Sequence, residues 1–337
     1  MRTLELRTLF PVERWIVTEM ALEAEGLTRA FGDRTVVDDV HLRVPRGRVH
    51  ALLGPNGSGK TTTVRMLATL LRPTAGRARV RGFDVVRDAA RVKRCIGFVG
   101  QYHAVDLRLT GVENLMIVAR LHGLGGRAAH ARAVELLDRF GLADAANRQA
   151  STYSGGMRRR LDLLAGMLVR PDVLFLDEPT TGLDPSSRNE IYGMVGELVA
   201  EGTAVLLTTQ YLDEADRLAD DITILDAGRT IATGTPAEIK EAVGSGLDLV
   251  LPGAAHLDEA VAVIGAFGLR HTGIQVPGEN GSVRLSFTTD AHSVPLLPVL
   301  RALDDAGVPV DDIGRRRVGL DEAFLTLTGR ERIEESA

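Results

Sequence analysis

The sequence Gly54-Pro55-Asn56-Gly57-Ser58-Gly59-Lys60-Thr61 has the G-x-x-x-x-G-K-[ST] pattern of a phosphate-binding loop. An apolar run, residues 49–53, precedes it, and a helical pattern, residues 61–71, follows it. The glycines let backbone amides close around phosphate oxygens, which a Cβ would prevent. Lys60 is expected at the β- and γ-phosphates and the Thr61 hydroxyl on Mg²⁺. We therefore predict a nucleoside triphosphate site formed by Gly54, Pro55, Asn56, Gly57, Ser58, Gly59, Lys60, Thr61 and Thr62.

A second motif, residues 173–178, is an apolar strand that ends in two carboxylates, Asp177 and Glu178. Open α/β sheets bind ligands at the carboxyl ends of their strands, so both side chains are expected near the phosphate loop. Neighbouring strand residues point in opposite directions, which gives the two carboxylates different roles. We predict that Asp177 holds Mg²⁺ through water and that Glu178 polarises the attacking water as general base. The alternative, that the pair only caps the turn at Pro179, is disfavoured by the apolar strand before it.

The composition of the 337-residue chain is that of a globular protein of about two domains. A net charge of −5 gives no general attraction to nucleic acid or to an acidic membrane. One cysteine excludes a disulfide within the chain, and the eight histidines lack the spacing of a zinc site. No run approaches the ~18 apolar residues of a membrane span, and the N-terminus lacks a signal-peptide pattern. We therefore expect a cytosolic protein that relies on another chain for any membrane span.

Three segments of the chain differ in pattern. Residues 1–20 fit poorly with the rest of the chain, because strand alternation begins at Met20. They are either an extension absent from the native protein or a short amphipathic arm. Residues 21–243 alternate apolar strands with helices, which indicates a parallel sheet covered on both faces. Residues 244–337 predict the order βαββαβ of a small α+β ferredoxin-like domain, followed by a helix over 320–328.

With these motifs and Ser154-Gly155-Gly156, the chain resembles the nucleotide-binding subunits of the ATP-binding cassette (ABC) family over roughly residues 21–240. The resemblance implies an α/β P-loop NTPase fold with a mostly parallel core sheet, an antiparallel β subdomain and a helical subdomain. It also implies that Ser154, Gly155 and Gly156 contact the γ-phosphate of ATP held by a second copy, so that a homodimer encloses two ATP–Mg²⁺. Three arginines follow Met157, residues 158–160, and they are interpreted as a solvated helix face, with a phosphate clamp as the alternative.

Further positions match family motifs one by one. Phe31 matches the aromatic residue that stacks on adenine, with core packing as the alternative. Gln101 matches the Q-loop, which contacts Mg²⁺ and faces the membrane partner. Asp184 lies in the D-loop motif, and its place before Pro185 is also typical of a helix N-cap.

Gln210 departs from the family pattern. Most members have histidine at this position, where it binds the γ-phosphate and organises the attacking water. A glutamine side chain donates a hydrogen bond but carries no charge and does not titrate near neutral pH. We predict that Gln210 keeps the hydrogen bond as a catalytic residue and that ATP hydrolysis is slow.

Three stretches resemble the daunorubicin/doxorubicin-resistance exporter ATPases: residues 153–162, 208–216 and 320–329. The resemblance implies an ATPase that drives a separate multi-span membrane permease for drug or antibiotic export. Such a subunit is peripheral, on the cytoplasmic face of the cell membrane. The C-terminal stretch is expected to support assembly with the membrane subunit. The alternative is an amphipathic helix that caps the small domain, with Leu320, Phe324 and Leu327 facing inward.

Two other classes of protein fit the sequence less well. A soluble ABC-type ATPase acting on nucleic acid or ribosomes is disfavoured, because the chain has one cassette and no basic tail. No nucleic-acid partner is therefore expected. A P-loop GTPase or kinase would leave Ser154-Gly155-Gly156 unused, and the Asn-Lys-x-Asp guanine-binding motif is absent. The transported substrate is not encoded here, because the membrane subunit would bind it.

Overall fold

A six-stranded sheet forms the centre of the first part of the chain in the computed structural model, which describes residues 19–101, 104–275, 281–289, 296–316 and 319–329. Residues 1–18 lie outside this part, so both interpretations of the N-terminal extension stay predictions. Met20 begins the first strand. The chain divides into two units, Met1–Thr235 and Pro236–Ala337.

The boundary between the units lies a few residues earlier than the sequence predicted. We expected it after Val243, because the adjoining glycine-rich segment is typical of a linker. The helix Pro236–Ala242 instead contacts the C-terminal helix Leu320–Thr328 and therefore belongs to the second unit.

The first unit contains ten strands and seven α-helices among the described residues. In chain order they are β1 (Met20–Phe31), β2 (Arg34–Pro45), β3 (Val49–Leu53), α1 (Lys60–Leu67), β4 (Ala75–Val80), β5 (Phe83–Asp84), α2 (Ala89–Cys95), β6 (Ile96–Val99), α3 (Gly111–Leu121), α4 (Gly126–Arg139), α5 (Gly155–Met167), β7 (Val173–Asp177), α6 (Pro185–Ala200), β8 (Ala204–Thr209), α7 (Leu212–Leu218), β9 (Asp221–Asp226) and β10 (Arg229–Gly234).

The central sheet is mostly parallel, as predicted. Its strand order is β10-β9-β3-β8-β7-β6, and only β10 pairs antiparallel to its neighbour. Every residue of β3, β7 and β8 is buried, which explains why these strands lack polar alternation. A second sheet, β2-β1-β4-β5, is antiparallel. Both sheets and α1 contribute to one hydrophobic core, which contains Leu22, Val40, Val64, Phe175 and Leu206.

Helix α1 ends earlier than the helical pattern over residues 61–71 predicted. It stops at Leu67, and Thr69 has the left-handed backbone conformation, with φ 63°. The Leu70 amide then donates to the Arg65 carbonyl at 2.9 Å. These are the features of a Schellman-type helix end, which satisfies carbonyls of the last turn without a glycine.

The region between β6 and β7 is mainly helical, as predicted, and consists of α3, α4 and α5. Helix α3 begins with a capping box: the Thr110 hydroxyl accepts from the Glu113 amide, and the Glu113 carboxylate accepts from the Thr110 amide. Helix α5 begins with Gly155 and Gly156 of the predicted signature motif and leads into β7.

The second unit has the predicted βαββαβ order. Its elements are α8 (Pro236–Ala242), β11 (Ser245–Leu251), α9 (Leu257–Gly265), β12 (Arg270–Gln275), β13 (Val283–Thr289), α10 (Leu296–Asp305), β14 (Asp312–Arg316) and α11 (Leu320–Thr328). The sheet order β12-β13-β11-β14 is antiparallel throughout, which is the split arrangement of a ferredoxin-like domain. Alternate residues of β11 enter a core with Phe287 and Leu303.

Helix α11 packs onto this unit through an ion-pair network as well as apolar contacts. Arg316 at the end of β14 pairs with Glu322 of α11 and lies 3.1 Å from Asp248 of β11. Leu320 and Ala323 are buried. The helix therefore packs on its own unit, as one of the two interpretations predicted, but of the three residues expected to face inward only Leu320 is buried, and Phe324 and Leu327 are partly exposed. A role in assembly with a membrane subunit stays a prediction. Within the residues described here, no helix is long and apolar enough to cross a bilayer.

A buried histidine in β3 makes the stability of the first unit depend on pH. His50 is 2% exposed, and its Nε2 lies 2.9 Å from Thr223 Oγ1. Burial lowers the pKa of the imidazole from 6.5 to about 4. The unfolded chain therefore takes up a proton near pH 6.5 that the folded chain does not accept until about pH 4. The stability contributed by neutral His50 is lost as pH falls through this window.

We predict that His50→Gln makes the protein less sensitive to acid. Glutamine can still donate to Thr223 Oγ1 but does not titrate. Between pH 7.5 and pH 5 the free energy of unfolding should fall by about 2 kcal/mol less in the variant than in the parent. Urea denaturation followed by circular dichroism measures this difference. An equal fall in both proteins would contradict the assignment.

Candidate nucleotide-binding and catalytic site

The carboxyl ends of four parallel strands bring the predicted site residues to one edge of the sheet. In the strand register, Leu53 pairs with Thr209 and Thr208 pairs with Asp177. On the other side of β7, Val99 pairs with Leu176. Each paired position is followed within one or two residues by a predicted site element: the phosphate loop after β3, Gln101 after β6, Glu178 after β7 and Gln210 after β8. The structure therefore gathers there the motifs at the ends of β3, β6, β7 and β8.

The phosphate loop has the backbone geometry that its glycines allow. Gly59 precedes α1 with φ 104°, a conformation that L side chains rarely adopt. A Cβ on Gly54 would overlap the Leu225 carbonyl and the Ser58 hydroxyl. The loop is thus closely packed against neighbouring backbone, and no larger residue fits at either glycine.

Lys60 is buried within the loop. Its Nζ donates to the carbonyls of Gly54, at 2.7 Å, and Pro55, at 3.1 Å, and lies 3.7 Å from Glu178 Oε1. Burial lowers the pKa of the ammonium group, while the carboxylates of Glu178 and Asp177 oppose that shift. A partly desolvated ammonium held this way interacts strongly with an anion, because little water competes for it.

Oxygen atoms converge next to the lysine. Thr61 Oγ1 donates to Asp177 Oδ1 at 3.0 Å, and Thr208 Oγ1 donates to the same oxygen at 2.7 Å. The Gln101 side-chain amide lies 3.4 Å from Thr61 Oγ1. Hydroxyl, carboxylate and amide oxygens are ligands that suit Mg²⁺. Among the described residues no group of three or more His, Cys, Asp or Glu could hold a metal.

Glu178 has an unusual backbone conformation, with φ 49°. Its amide donates to the Thr208 carbonyl at 3.2 Å and to the Thr208 hydroxyl at 3.0 Å. Its side chain is 12% exposed. A non-glycine residue in the left-handed region costs roughly 1–3 kcal/mol and persists only where surrounding contacts hold it. Thr208 supplies part of that restraint, and it also binds Asp177.

The expectation that residues 158–160 form a solvated face is wrong for Arg159. This side chain is only 5% exposed and donates to the backbone carbonyls of Gly100, Asp177, Glu178 and Pro179. Burial lowers the pKa of its guanidinium group. The flanking arginines also make contacts, because Arg158 donates to the Ala150 and Ser151 carbonyls and Arg160 lies 3.3 Å from Glu190.

The predicted signature residues form the N-terminus of α5. Ser154 is its N-cap and accepts a hydrogen bond from the Met157 amide at 3.2 Å. Ser154 and Gly155 are exposed, whereas Gly156 is buried against Ser187, whose hydroxyl a Cβ would overlap. The hydroxyl of Ser154 and the amide of Gly155 therefore belong to exposed residues at this helix end.

Tyr153 anchors the signature turn. Its side chain is buried and its hydroxyl donates to the Ala145 carbonyl at 2.6 Å. Burial raises the pKa of the phenol. The tyrosine therefore contributes both a buried ring and a hydrogen bond within the helical region.

Phe31 ends β1 with 47% of its surface exposed, and the Arg29 guanidinium lies over its ring, 4.4 Å from the centroid. The ring is thus not a core residue. Asp184 caps α6, as predicted, by accepting from the Ser187 amide at 3.1 Å, with Pro185 in the first turn. Gln210 is half-buried directly after β8. Adenine stacking, the D-loop role and the γ-phosphate contact stay predictions.

Three residues that sequence reasoning missed hold this site together: Arg159, Thr208 and Glu214. Glu214 of α7 is 1% exposed and accepts from the Thr180 hydroxyl at 2.8 Å, and burial raises the pKa of its carboxyl. The two threonines that end the otherwise apolar strand β8 were the available signal, since a hydroxyl at the end of a buried strand needs a partner. Arg159 and Glu214 gave no such signal.

Comparison with known proteins identifies the family. Residues 37–181 match the ABC transporter family. The chain is 50% identical over 323 residues to the daunorubicin resistance ATP-binding protein DrrA3 of Streptomyces coeruleorubidus. The matched region covers 95% of this chain and 100% of that protein. It is 44% identical over 313 residues to the doxorubicin resistance ATP-binding protein DrrA of Mycobacterium tuberculosis, covering 92% and 94% of the two chains.

A solved structure of an ATP-binding subunit of an ABC transporter is similar with a TM-score of 0.60 and 30% identity, over 65% of this chain and 92% of that one. Both the sequence and the fold agree with the resemblance inferred from the motifs. The chain therefore belongs to the ABC transporter family, as one of its ATP-binding, ATP-hydrolysing subunits.

Proposed function

We propose that this ATPase binds ATP with Mg²⁺ at the edge of its central sheet, dimerises around two such nucleotides and drives a separate membrane subunit. One observation supports the mechanism most directly. Thr61 Oγ1 lies 3.0 Å from Asp177 Oδ1, while Glu178 Oε1 lies 3.7 Å from the Lys60 ammonium. Phosphate-binding, metal-binding and base groups are thus adjacent.

Each of these side chains has a separate task in hydrolysis. Lys60 binds the outer phosphate oxygens and exchanges its bonds to loop carbonyls for bonds to the nucleotide. Thr61 and Asp177 hold Mg²⁺, and Gln101 contacts it. Mg²⁺, when bound, neutralises negative charge on the β- and γ-phosphate oxygens. The Glu178 carboxylate orients the attacking water and accepts its proton. Gln210, on the neighbouring strand end, donates a hydrogen bond to the γ-phosphate.

The dimer proposal rests on the exposed end of α5. Ser154 and Gly155 present hydroxyl and amide donors at a helix N-terminus, which favours a phosphate anion. The resemblance gives that anion as the γ-phosphate of a second copy and assigns Asp184 to the D-loop motif. Phe31 is accessible for stacking on adenine.

The export proposal rests on the named relatives, which are resistance ATP-binding proteins similar to this chain over nearly its full length, the second unit included. We infer that the membrane subunit exports a drug or antibiotic and that this chain is peripheral, on the cytoplasmic face of the membrane. The soluble alternative gains no support from these relatives.

Replacing the proposed base tests this function. Glu178→Gln should lower the steady-state ATPase rate by at least about 100-fold, because an amide cannot accept the proton from water. ATP affinity, measured by equilibrium binding, should stay within a few-fold of the parent value. Glu135→Gln is the matched control, since that carboxylate is exposed and pairs with Arg132 on α4. Parent turnover in Glu178→Gln would rule out the base assignment.

The same variant tests coupling to export. In cells that also produce the membrane subunit, the parent chain should lower anthracycline accumulation, whereas Glu178→Gln should not. Anthracycline accumulation that is independent of the parent chain, with its ATPase activity intact, would contradict export of this drug class and leave the hydrolytic mechanism standing.

Gln210 provides a second test. Gln210→Ala should lower kcat by at least about tenfold, because one donor to the γ-phosphate is lost. Gln210→His should raise kcat above the parent value and make it depend on pH near neutrality, because imidazole titrates there. The control Gln149→Ala removes the same amide from an exposed position. If Gln210→Ala hydrolyses ATP at the parent rate, Gln210 has no catalytic role.

A further inference from the structure

Arg159 concentrates its hydrogen bonds on one short piece of backbone. Its Nε donates to the Pro179 carbonyl at 2.7 Å, and Nη2 donates to the carbonyls of Asp177, at 3.3 Å, and Glu178, at 3.2 Å. Its Nη1 donates to the Gly100 carbonyl at 2.7 Å. Three consecutive carbonyls around Glu178 thus share one guanidinium group as donor.

Burial of the Arg159 guanidinium group costs free energy, which suggests that it has a role beyond filling space. Burying a guanidinium group removes it from water, and an apolar side chain of similar size would fill the same space without that cost. Unlike a hydrophobic contact, a planar fork of donors also fixes the direction of each carbonyl that it binds. Arg159 therefore determines backbone orientation as well as packing.

The backbone segment that Arg159 binds includes the strained residue Glu178. Glu178 has φ 49°, a conformation that its own side chain disfavours. Thr208 binds the amide of Glu178, and Arg159 binds the carbonyls on both sides of it. Without one of these restraints the backbone can relax toward the ordinary β or α region, which would swing the carboxylate away from its place beside Lys60.

We propose that Arg159 is a positioning residue that aims the Glu178 carboxylate at the γ-phosphate site. The proposal rests on the base role of Glu178 given above and extends it to a residue of a different element. Because Arg159 lies on α5, the helix whose N-terminus carries Ser154 and Gly155, it also joins the base mechanically to the surface that faces the second nucleotide.

The same helix restrains the segment around Gln101. The Gly100 carbonyl accepts from Arg159, and the Ala104 amide donates to Asp162 Oδ1 at 2.9 Å. Arg159 and Asp162 are both on α5, three positions apart, and therefore lie on one face of the helix. A rotation of α5 would thus shift the base and the Gln101 segment together.

The test compares Arg159→Gln and Arg159→Lys with Arg160→Gln. We expect Arg159→Gln to lower kcat about 10- to 100-fold, as expected for a displaced catalytic group. KM for ATP should change less than about threefold, because Arg159 makes no bond to the phosphate loop. Arg159→Lys should recover part of the loss, since an ammonium group keeps the charge but cannot reach all the carbonyls. Arg160→Gln should retain the parent kcat, because its contacts are Glu190 and Phe140.

A double-mutant cycle separates positioning from stability. In the Glu178→Gln background, Arg159→Gln should lower the residual rate less than about twofold, because no carboxylate remains to be aimed. A merely structural arginine would lower the rate by the same factor in both backgrounds, and that result would overturn the proposal. Should Arg159→Gln fail to fold, Arg159→Lys completes the same cycle with the same expected non-additivity.

The outcomes also distinguish the positioning role of Arg159 from the base role of Glu178, on which it rests. Parent turnover in Glu178→Gln removes the base assignment itself, and Arg159 loses its target with it. If Glu178→Gln is inactive but Arg159→Gln keeps the parent kcat, only the positioning role is overturned.

Discussion

The register between β7 and β8 is the constraint on which the site depends. Pairing Asp177 with Thr208 places the last residue of β7 beside the next-to-last residue of β8, and β3 joins them through the pair Leu53 and Thr209. Beyond these pairs the sheet ladder ends, so the backbone groups of the next residues need other partners. Thr208 and Arg159 provide those partners, and this is why Glu178 keeps one conformation beside the phosphate loop.

The chemistry depends on how this edge balances its charges. A buried ammonium, two carboxylates and a buried guanidinium lie close together, and backbone carbonyls accept hydrogen bonds from the two cationic groups. In such surroundings each charge acts over a short distance with little screening. The negatively charged nucleotide completes the arrangement. In the proposed mechanism Gln210 is a neutral donor where the family resemblance implies a histidine, so we expect the rate to depend more heavily on Glu178.

Short motifs made much of the fold and of the candidate site predictable, because they combine fixed residue types with fixed spacing. The phosphate loop, the Asp177–Glu178 strand end and the βαββαβ order were visible in the sequence. Arg159 was not, because three consecutive arginines are usually solvated and helical periodicity predicts only one buried face. Helix α5 is buried on more than one face, with Leu161, Asp162, Leu163 and Leu164 all inaccessible. Likewise, the boundary at Pro236 depends on a contact with α11 that is distant in sequence.

We propose that each chain contributes to two ATP sites of a homodimer. Its sheet edge forms most of one site, and the exposed N-terminus of its α5 completes the other. Sedimentation of Glu178→Gln with and without ATP–Mg²⁺ tests this most directly, because a variant that binds but does not hydrolyse should accumulate the dimer. The mass should double from 36.2 kDa when nucleotide is added. Adding Ser154→Arg should prevent the doubling while ATP binding persists. A mass that stays at one chain with ATP bound, or a dimer unaffected by Ser154→Arg, would contradict the half-site proposal.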